Sequence, residues 1–207
     1  MRYYVNKTEV INPSPDSPEW DMAEAEYLKC TYVGEGLCQP PETYFKLLRG
    51  PRGLSVLMHT DERNLRAEVS PGDEVCLDSC MEFFYKPSPW DTRYFNFEIN
   101  PKGVTLFGLG ADKFDRISIT DTRVFDIVSL AEEGDWTLKL YIPDDIIDKY
   151  MPEITALSEG NRSSVAKANF CKCGDETDHP HYATWTRIDA EKIDFHIPDF
   201  FGELVFK

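Results

Sequence analysis

CLDSCMEFFY (residues 76–85) and YFNFEIN (residues 94–100) are the two segments that decide the fold, because both combine β-forming residues with regular alternation. Successive side chains of a strand point to opposite faces of a sheet. One face of both segments is therefore apolar and consists of Met81, Phe83, Tyr85, Phe95, Phe97 and Ile99. The eight residues between the segments, 86–93 (KPSPWDTR), form a loop of hairpin type. Burying both apolar sets together predicts an antiparallel hairpin with a fixed register.

The opposite face of this hairpin is polar. It carries Asp78, Cys80, Glu82 and Phe84 from the first strand, and Asn96, Glu98 and Asn100 from the second. Two glutamates that meet on neighbouring strands destabilise a sheet by up to about 1 kcal/mol, so a basic neighbour, a cation or a hydroxyl-rich ligand should offset them. Carboxylates and carboxamides on a rigid sheet suit hydrogen bonding to a sugar. A solvated outer face with the glutamates splayed apart is an equally open interpretation on spacing alone.

The remaining sequence is dominated by short strand patterns separated by turn residues. Further strands are predicted over residues 26–32, 44–48, 54–59, 104–108, 123–128, 136–142, 165–173, 182–185 and 203–206. One short helix is predicted near residues 143–150, with Pro143 in its first turn and Pro152 ending it. This pattern predicts an all-β fold, an antiparallel β-sandwich or jelly roll. At 207 residues, the chain fits a single domain over 1–207.

Charge and hydropathy narrow the range of partners. The chain has 37 acidic and 22 basic residues and a net charge of −15, which disfavours nucleic acid and anionic membrane surfaces. No apolar run reaches the roughly 18 residues that would span a bilayer. Residues 1–10 are neither basic nor apolar enough for a secretory signal, so we expect a cytoplasmic protein, or an extracellular one if a signal peptide has been removed.

The six cysteines and four histidines suggest few metal sites. The close pairs are Cys76-x-x-x-Cys80 and Cys171-x-Cys173, of which the second is too tight and the first only loosely fits structural zinc spacing. Buried free thiols are therefore favoured over a zinc site, and we expect at most one disulfide. The acidic, histidine-containing segment 175–181 (DETDHPH) could hold a divalent cation, but a solvated loop is the favoured interpretation.

Support for catalysis is limited to the two glutamates. The sequence has no Gly-x-Ser-x-Gly elbow, phosphate-binding loop or His-Glu-x-x-His motif. A cross-strand pair of Glu82 and Glu98 could act as the two carboxylates of a glycosidase, which lie about 5 Å or about 6.5–9.5 Å apart depending on mechanism. A glycoside-acting enzyme is therefore kept as an alternative.

The order of these segments resembles family 9 carbohydrate-binding modules. The hairpin segments 78–84 and 94–100 carry the resemblance, and the later segments that support it are 136–143 (WTLKLYIP), 168–170 (ANF) and 195–204 (FHIPDFFGEL). The resemblance extends over about residues 20–206. It implies a β-sandwich that binds a mono- or oligosaccharide without catalysis, in a slot between two tryptophans, with structural calcium elsewhere.

Carried over by position, the resemblance implies that Trp185 stacks on the sugar and that Glu82 and Asn100 make polar contacts. The predicted carbohydrate-binding residues, all on the polar face apart from the tryptophan, are Glu82, Asn96, Glu98, Asn100 and Trp185. The chain departs from the family pattern at Val75, near the place of the second tryptophan, at Glu98, in the place of an arginine, and at Cys171 and Cys173, in the place of polar contacts. Trp90, in the hairpin loop, could replace the missing aromatic. A relative whose site has decayed is a further alternative.

Overall fold

The structure is a computed structural model that describes residues 1–157 and 164–207. The strands are Arg2–Lys7 (β1), Glu26–Tyr27 (β2), Cys30–Thr31 (β3), Thr43–Gly50 (β4), Gly53–Thr60 (β5), Cys80–Lys86 (β6), Tyr94–Ile99 (β7), Thr105–Gly110 (β8), Arg116–Ser118 (β9), Asp126–Glu132 (β10), Asp135–Pro143 (β11), Val165–Cys173 (β12), Tyr182–Thr184 (β13) and Gly202–Phe206 (β14). The α-helices are Asp144–Tyr150 (α1) and Pro152–Leu157 (α2). Single 3-10 turns cover Pro18–Met22, Val75–Leu77, Thr122–Val124 and Pro198–Phe200.

The strands form two layers joined by β1. One layer has the order β10-β11-β5-β4, and the other has the order β14-β12-β6-β7-β8-β9. The short strands β2, β13 and β3 extend these layers, because β2 pairs with β4, and β13 pairs with both β12 and β3. β1 pairs with β14 through its first residues and with β4 through its last, so the layers are continuous at this strand.

The predicted all-β sandwich is confirmed, with one departure from antiparallel order. β1 runs parallel to both β14 and β4, whereas the other described pairings are antiparallel. β1 was not among the predicted strands, although Tyr3 and Val5 are buried and Tyr4 between them is exposed. Two inward side chains give too short an alternation to identify a strand without its partners.

The register of the β6–β7 hairpin is confirmed. Phe83 lies opposite Phe97, and Glu82 lies opposite Glu98. The apolar face packs into the core between the layers, where Phe83 stacks on Phe170 at a centroid distance of 4.6 Å. Phe170 in turn stacks on Phe45 of the other layer at 3.6 Å. These aromatic contacts connect the two sheets and fix the position of β6.

The predicted helix near 143–150 is confirmed as α1. Ile146 and Ile147 of α1 are buried, and Asp144 at its start forms an ion pair with Arg49 at 2.6 Å. Pro152 ends α1 as predicted and opens α2, because proline is tolerated in the first turn of a helix. No helix in the described part of the chain is long and apolar enough to span a membrane.

The polar face of the second layer is partly covered by the chain itself. The segments around the turn Val75–Leu77 and between β13 and β14 pack against it. The buried apolar side chains of this second cluster are Val75, Cys80, Phe84, Tyr94, Cys171, Cys173, Ile188, Phe195 and Phe201. The covering is incomplete, and the part of the face that stays open forms a cleft.

Candidate functional site

The cleft has a volume of about 400 Å³, and Glu82 and Glu98 are part of its lining. Clefts of about 300–1,000 Å³ with a few convergent polar groups are typical of small-molecule sites. Its acidic and basic lining residues are Glu74, Glu82, Glu98, Asp175, Asp194, Lys113, Arg116 and His196. Its aromatic lining consists of Phe114, Tyr182 and Phe195. The cleft therefore combines buried hydrogen-bonding groups with rings suited to stacking.

The two glutamates at the floor are directly opposed and almost completely buried, at 4 % exposure for Glu82 and 5 % for Glu98. Burial raises the pKa of Glu82 well above its usual value, and the neighbouring Glu98 raises it further. Burial also raises the pKa of Glu98 to about 7, although Arg116 opposes this increase. Two carboxylates that lie close together and are shielded from water cannot both ionise without a large cost in free energy. At least one of them therefore carries a proton near neutral pH and can donate a hydrogen bond.

Arg116 supplies the positive charge of the floor. Its Nη1 donates a hydrogen bond to Asn96 Oδ1 at 2.6 Å and lies 3.8 Å from Glu98 Oε1. Arg116 is on β9, which is separated from β7 by β8, so its side chain must pass over β8 to reach the cleft. Gly108 of β8 leaves room for it, because a Cβ at Gly108 would lie 3.1 Å from Arg116 Cδ. The arginine therefore crosses the sheet face to meet the β7 side chains.

Two buried polar atoms at this face lack hydrogen-bond partners among the described residues. They are Asn96 Nδ2, a donor, and Asp175 Oδ1, an acceptor. Burial also raises the pKa of Asp175. An unsatisfied buried polar atom costs about 1–3 kcal/mol, so it marks a position where a ligand can supply the missing bond. Asp175 lines the cleft, and a hydroxyl group of a ligand there can donate the hydrogen bond that Asp175 Oδ1 lacks.

The rim of the cleft is aromatic. Phe114 is 87 % exposed, so its ring is available to a ligand. Tyr182 and Phe195 meet edge to face at a centroid distance of 6.1 Å on the cleft lining. These rings lie at the cleft, whereas the sequence had predicted stacking by Trp185.

The structure brings together three of the five predicted site residues. Glu82 and Glu98 line the cleft, and Asn96, which shares their face, is buried and accepts a hydrogen bond from Arg116. Asn100, in contrast, is completely buried at the end of β7 and does not line the cleft. Its Oδ1 accepts hydrogen bonds from the backbone of Lys102 and Val104, so it stabilises the turn after β7. The predicted sugar contact of Asn100 does not fit this position.

The stacking role predicted for Trp185 does not fit the structure either. Trp185 is completely buried in the core, with its ring edge-on to Phe45 at 5.4 Å and to Phe170 at 6.1 Å. It lies three positions after Tyr182, and an odd separation along an extended segment places two side chains on opposite faces. Because Tyr182 faces the cleft, Trp185 faces the core.

Trp90 does not replace the missing tryptophan. It is 91 % exposed in the loop between β6 and β7, and it is not part of the cleft lining. Val75 is buried. The main cleft residues that sequence reasoning missed are Phe114, Arg116, Asp175 and Tyr182. All but Tyr182 lie outside the strands predicted from the sequence, and only the fold brings them to the cleft.

The metals considered from the sequence fit the described residues to different degrees. His181 is buried 3.0 Å from Lys172 Nζ, so segment 175–181 presents no convergent ligand set within the described chain. Among the described residues, the three metal-binding side chains that converge are those of Cys80, Glu82 and Cys173. Calcium takes six to eight oxygen ligands, so this sulfur-rich set does not fit it. Structural calcium stays a prediction.

The fold and the cleft define the class of this protein as a β-sandwich module with a candidate ligand site on one sheet face. A sequence model described as carbohydrate-binding family 9 matches residues 31–206, and the chain belongs to this family. The resemblance found from the sequence is thereby confirmed. No curated protein sequence is significantly similar to the chain.

Solved structures agree with this assignment. A proposed carbohydrate-binding protein from Bacteroides uniformis is 28 % identical, with a TM-score of 0.83 over 100 % of this chain and 99 % of its own. A family 9 module from Caldicellulosiruptor kristjanssonii in complex with glucose is 11 % identical, with a TM-score of 0.70 over 100 % of this chain and 96 % of its own. A family 9 module from the same organism in complex with cellotriose is 13 % identical, with a TM-score of 0.69 over 100 % of this chain and 94 % of its own. The latter two similarities concern the fold.

Proposed function

We propose that this chain binds a mono- or oligosaccharide in the cleft over Glu82 and Glu98 and does not alter it chemically. The observation that carries the proposal is the unsatisfied acceptor Asp175 Oδ1 on the cleft lining, which also holds the buried glutamate pair. Membership of carbohydrate-binding family 9 supports the ligand class, as do the glucose and cellotriose bound by the two Caldicellulosiruptor kristjanssonii modules.

The floor of the cleft suits sugar hydroxyl groups. Arg116 offers donors, and a glutamate pair with raised pKa values offers both a donor and acceptors near neutral pH. Hydrogen bonds to charged groups contribute about 1.5–3 kcal/mol each, so a few such contacts determine which hydroxyl pattern is accepted. These groups are held on strands, which keeps their geometry fixed before the ligand arrives.

The aromatic rim supplies the apolar contact. Phe114 and Tyr182 take the role that was predicted for Trp185, since the C–H face of a pyranose packs on an aromatic ring. A cleft of about 400 Å³ is at the small end of the usual range for ligand sites, which favours one sugar unit or the end of a chain.

Isothermal titration calorimetry with glucose and cellotriose tests this proposal. We expect Phe114→Ala to weaken binding, because it removes the most exposed ring of the rim. Trp90→Ala is the matched control, since Trp90 is equally exposed but lies outside the cleft lining. Equal loss in both variants, or no loss in either, would contradict the assignment of the cleft.

A reducing-sugar assay on the same samples addresses the glycosidase alternative. We expect no turnover by the wild type. Turnover that disappears in both Glu82→Gln and Glu98→Gln would favour hydrolysis instead. Absence of sugar binding across a glycan array would favour the alternative of a decayed site.

A further inference from the structure

Two cysteines and one glutamate converge below the cleft, although they are distant in sequence. Cys80 lies directly opposite Cys173 in the antiparallel pair of β6 and β12, and Glu82 follows Cys80 on the same face. One possible ligand atom from each of the three side chains lies within 4.8 Å of the others. The Sγ of Cys173 donates a hydrogen bond to Glu82 Oε1 at 3.1 Å.

We propose that Cys80, Glu82 and Cys173 form a binding site for a thiophilic divalent cation such as zinc. Tetrahedral zinc, with Zn–S of about 2.3 Å and Zn–O of about 2.1 Å, requires S···S of about 3.8 Å and S···O of about 3.6 Å. The present separations need only small side-chain movements to meet these values. Soft thiolate ligands select zinc and similar ions over calcium and magnesium. The site shares Glu82 and Cys173 with the lining of the cleft, and its metal binding can be tested without a sugar.

The burial of the three ligands supports a specific site. Cys80 is 0 % exposed, Cys173 is 1 % and Glu82 is 4 %, so the side chains are already ordered and shielded from bulk water. The strands that carry them are in the centre of the second layer. Binding of a divalent cation here would release the thiol protons of Cys80 and Cys173 to solvent, including the one that Cys173 donates to Glu82, together with any proton on the Glu82 carboxyl.

The arrangement leaves a fourth coordination position toward the cleft. Glu82 and Cys173 line the cleft, whereas Cys80 lies behind them. Three protein ligands with one open position are typical of zinc sites that exchange a water or bind a further ligand. The carboxyl groups of Glu98 and Asp175 also line the cleft onto which this position opens.

Sequence spacing could not identify this site. Zinc motifs are recognised by paired cysteines close together along the chain, and neither Cys76–Cys80 nor Cys171–Cys173 is the pair that converges here. The relevant pair joins two strands, and it becomes visible only with the register of β6 against β12.

Cobalt binding to the reduced, chelator-treated protein tests the proposal. We expect one Co²⁺ per chain, with sulfur-to-cobalt charge-transfer absorption in the near ultraviolet, and displacement of Co²⁺ by Zn²⁺. Cys80→Ser and Cys173→Ser should remove the charge-transfer signal. They should also weaken zinc affinity, measured against a chromophoric chelator, by at least the roughly 10–100-fold that the loss of an outer-shell contact causes.

Cys30→Ser and Cys38→Ser are the control variants. Cys30 donates to the backbone of Trp185 at 3.5 Å, away from the cleft, and its loss should leave the cobalt signal unchanged. Cys38 lies 3.9 Å from His179, so a signal lost only in Cys38→Ser would place the ion there and overturn the proposal.

Glu82→Gln keeps both thiols and provides a second variant in case the serine variants do not fold. We expect it to retain the charge-transfer band but to bind zinc more weakly. Reduced wild-type protein that shows no such band, with all six thiols titratable in denaturant, would overturn the proposal. Wild-type binding that Cys80→Ser, Cys173→Ser and Glu82→Gln all leave unchanged would also overturn it.

Discussion

Replacement of Glu98 by glutamine should stabilise the fold at alkaline pH. Glu98 is almost completely buried and directly opposite Glu82, and its pKa is raised to about 7 from the usual 4.5, chiefly by burial. A raised pKa means that the folded state favours the protonated carboxyl. The folded protein therefore binds more protons than the unfolded chain between about pH 4.5 and pH 7, and its stability falls as the pH rises through this window.

The size of the effect follows from the shift. A change of 2.5 pKa units at about 1.36 kcal/mol per unit corresponds to about 3 kcal/mol, which is an upper limit because Glu82 titrates together with Glu98. Glutamine has the same shape but never ionises. Glu98→Gln should therefore raise the free energy of unfolding at pH 8 by up to this amount, which is equivalent to roughly 6–12 °C in Tm for a chain of this size.

Urea unfolding at pH 5 and pH 8 tests the prediction. The difference between Glu98→Gln and wild type should be large at pH 8 and small at pH 5, where the wild-type carboxyl is protonated. Glu132→Gln, at an exposed position of β10, is the matched control and should change stability little at either pH. A Glu98→Gln variant that is less stable than wild type at pH 8, or equally stabilised at both pH values, would refute the reasoning.

Three further predictions concern stability. Trp185→Ala should destabilise the fold by about 3–5 kcal/mol in urea unfolding, because it opens a cavity in the core, and Trp185→Phe should cost much less, since the indole Nε1 donates no hydrogen bond to the described residues. Asp78→Ala should cost about 3–5 kcal/mol by the same measurement, because this buried carboxylate pairs with Arg66 and accepts hydrogen bonds from the backbone of Glu68. Burial and the nearby lysine lower the pKa of His181 to about 4, so between pH 6.5 and pH 4 the unfolded chain binds more protons at this position. Thermal unfolding of His181→Gln should therefore show a smaller loss of stability on acidification than wild type.

The fold could be predicted from the sequence where the local pattern was long enough. The alternation of apolar and polar residues over 76–85 and 94–100 was sufficient to predict that Phe83 and Phe97 lie on the same, buried face of the sheet. A shift of the register by one residue would expose the whole apolar set. The short helix was equally accessible, since both of its ends carry proline signals. β1 could not be predicted, because its own alternation is short and its partners, β4 and β14, are distant from it in sequence.

The site could be predicted only in part. Glu82, Asn96 and Glu98 were accessible because two strand patterns placed them on one face. Arg116 and Asp175 were not, since they reach the cleft from a short strand and a loop whose positions depend on tertiary packing. Trp185 was misassigned because the resemblance to the family fixes a position along the chain, whereas only the register of β13 decides which side of the sheet the ring faces.

The parallel strand β1 also has a consequence for how the chain folds. Tyr3 pairs with Leu204, so the strand that links the two layers finds its neighbour near the opposite end of the sequence. Contacts of such long range make folding slow, because most of the chain must be brought together before they form. During synthesis, β1 cannot pair with β14 until β14 has left the ribosome. Until then the edge of β12 that pairs with β14 is open to pairing with other chains, which is a route to aggregation.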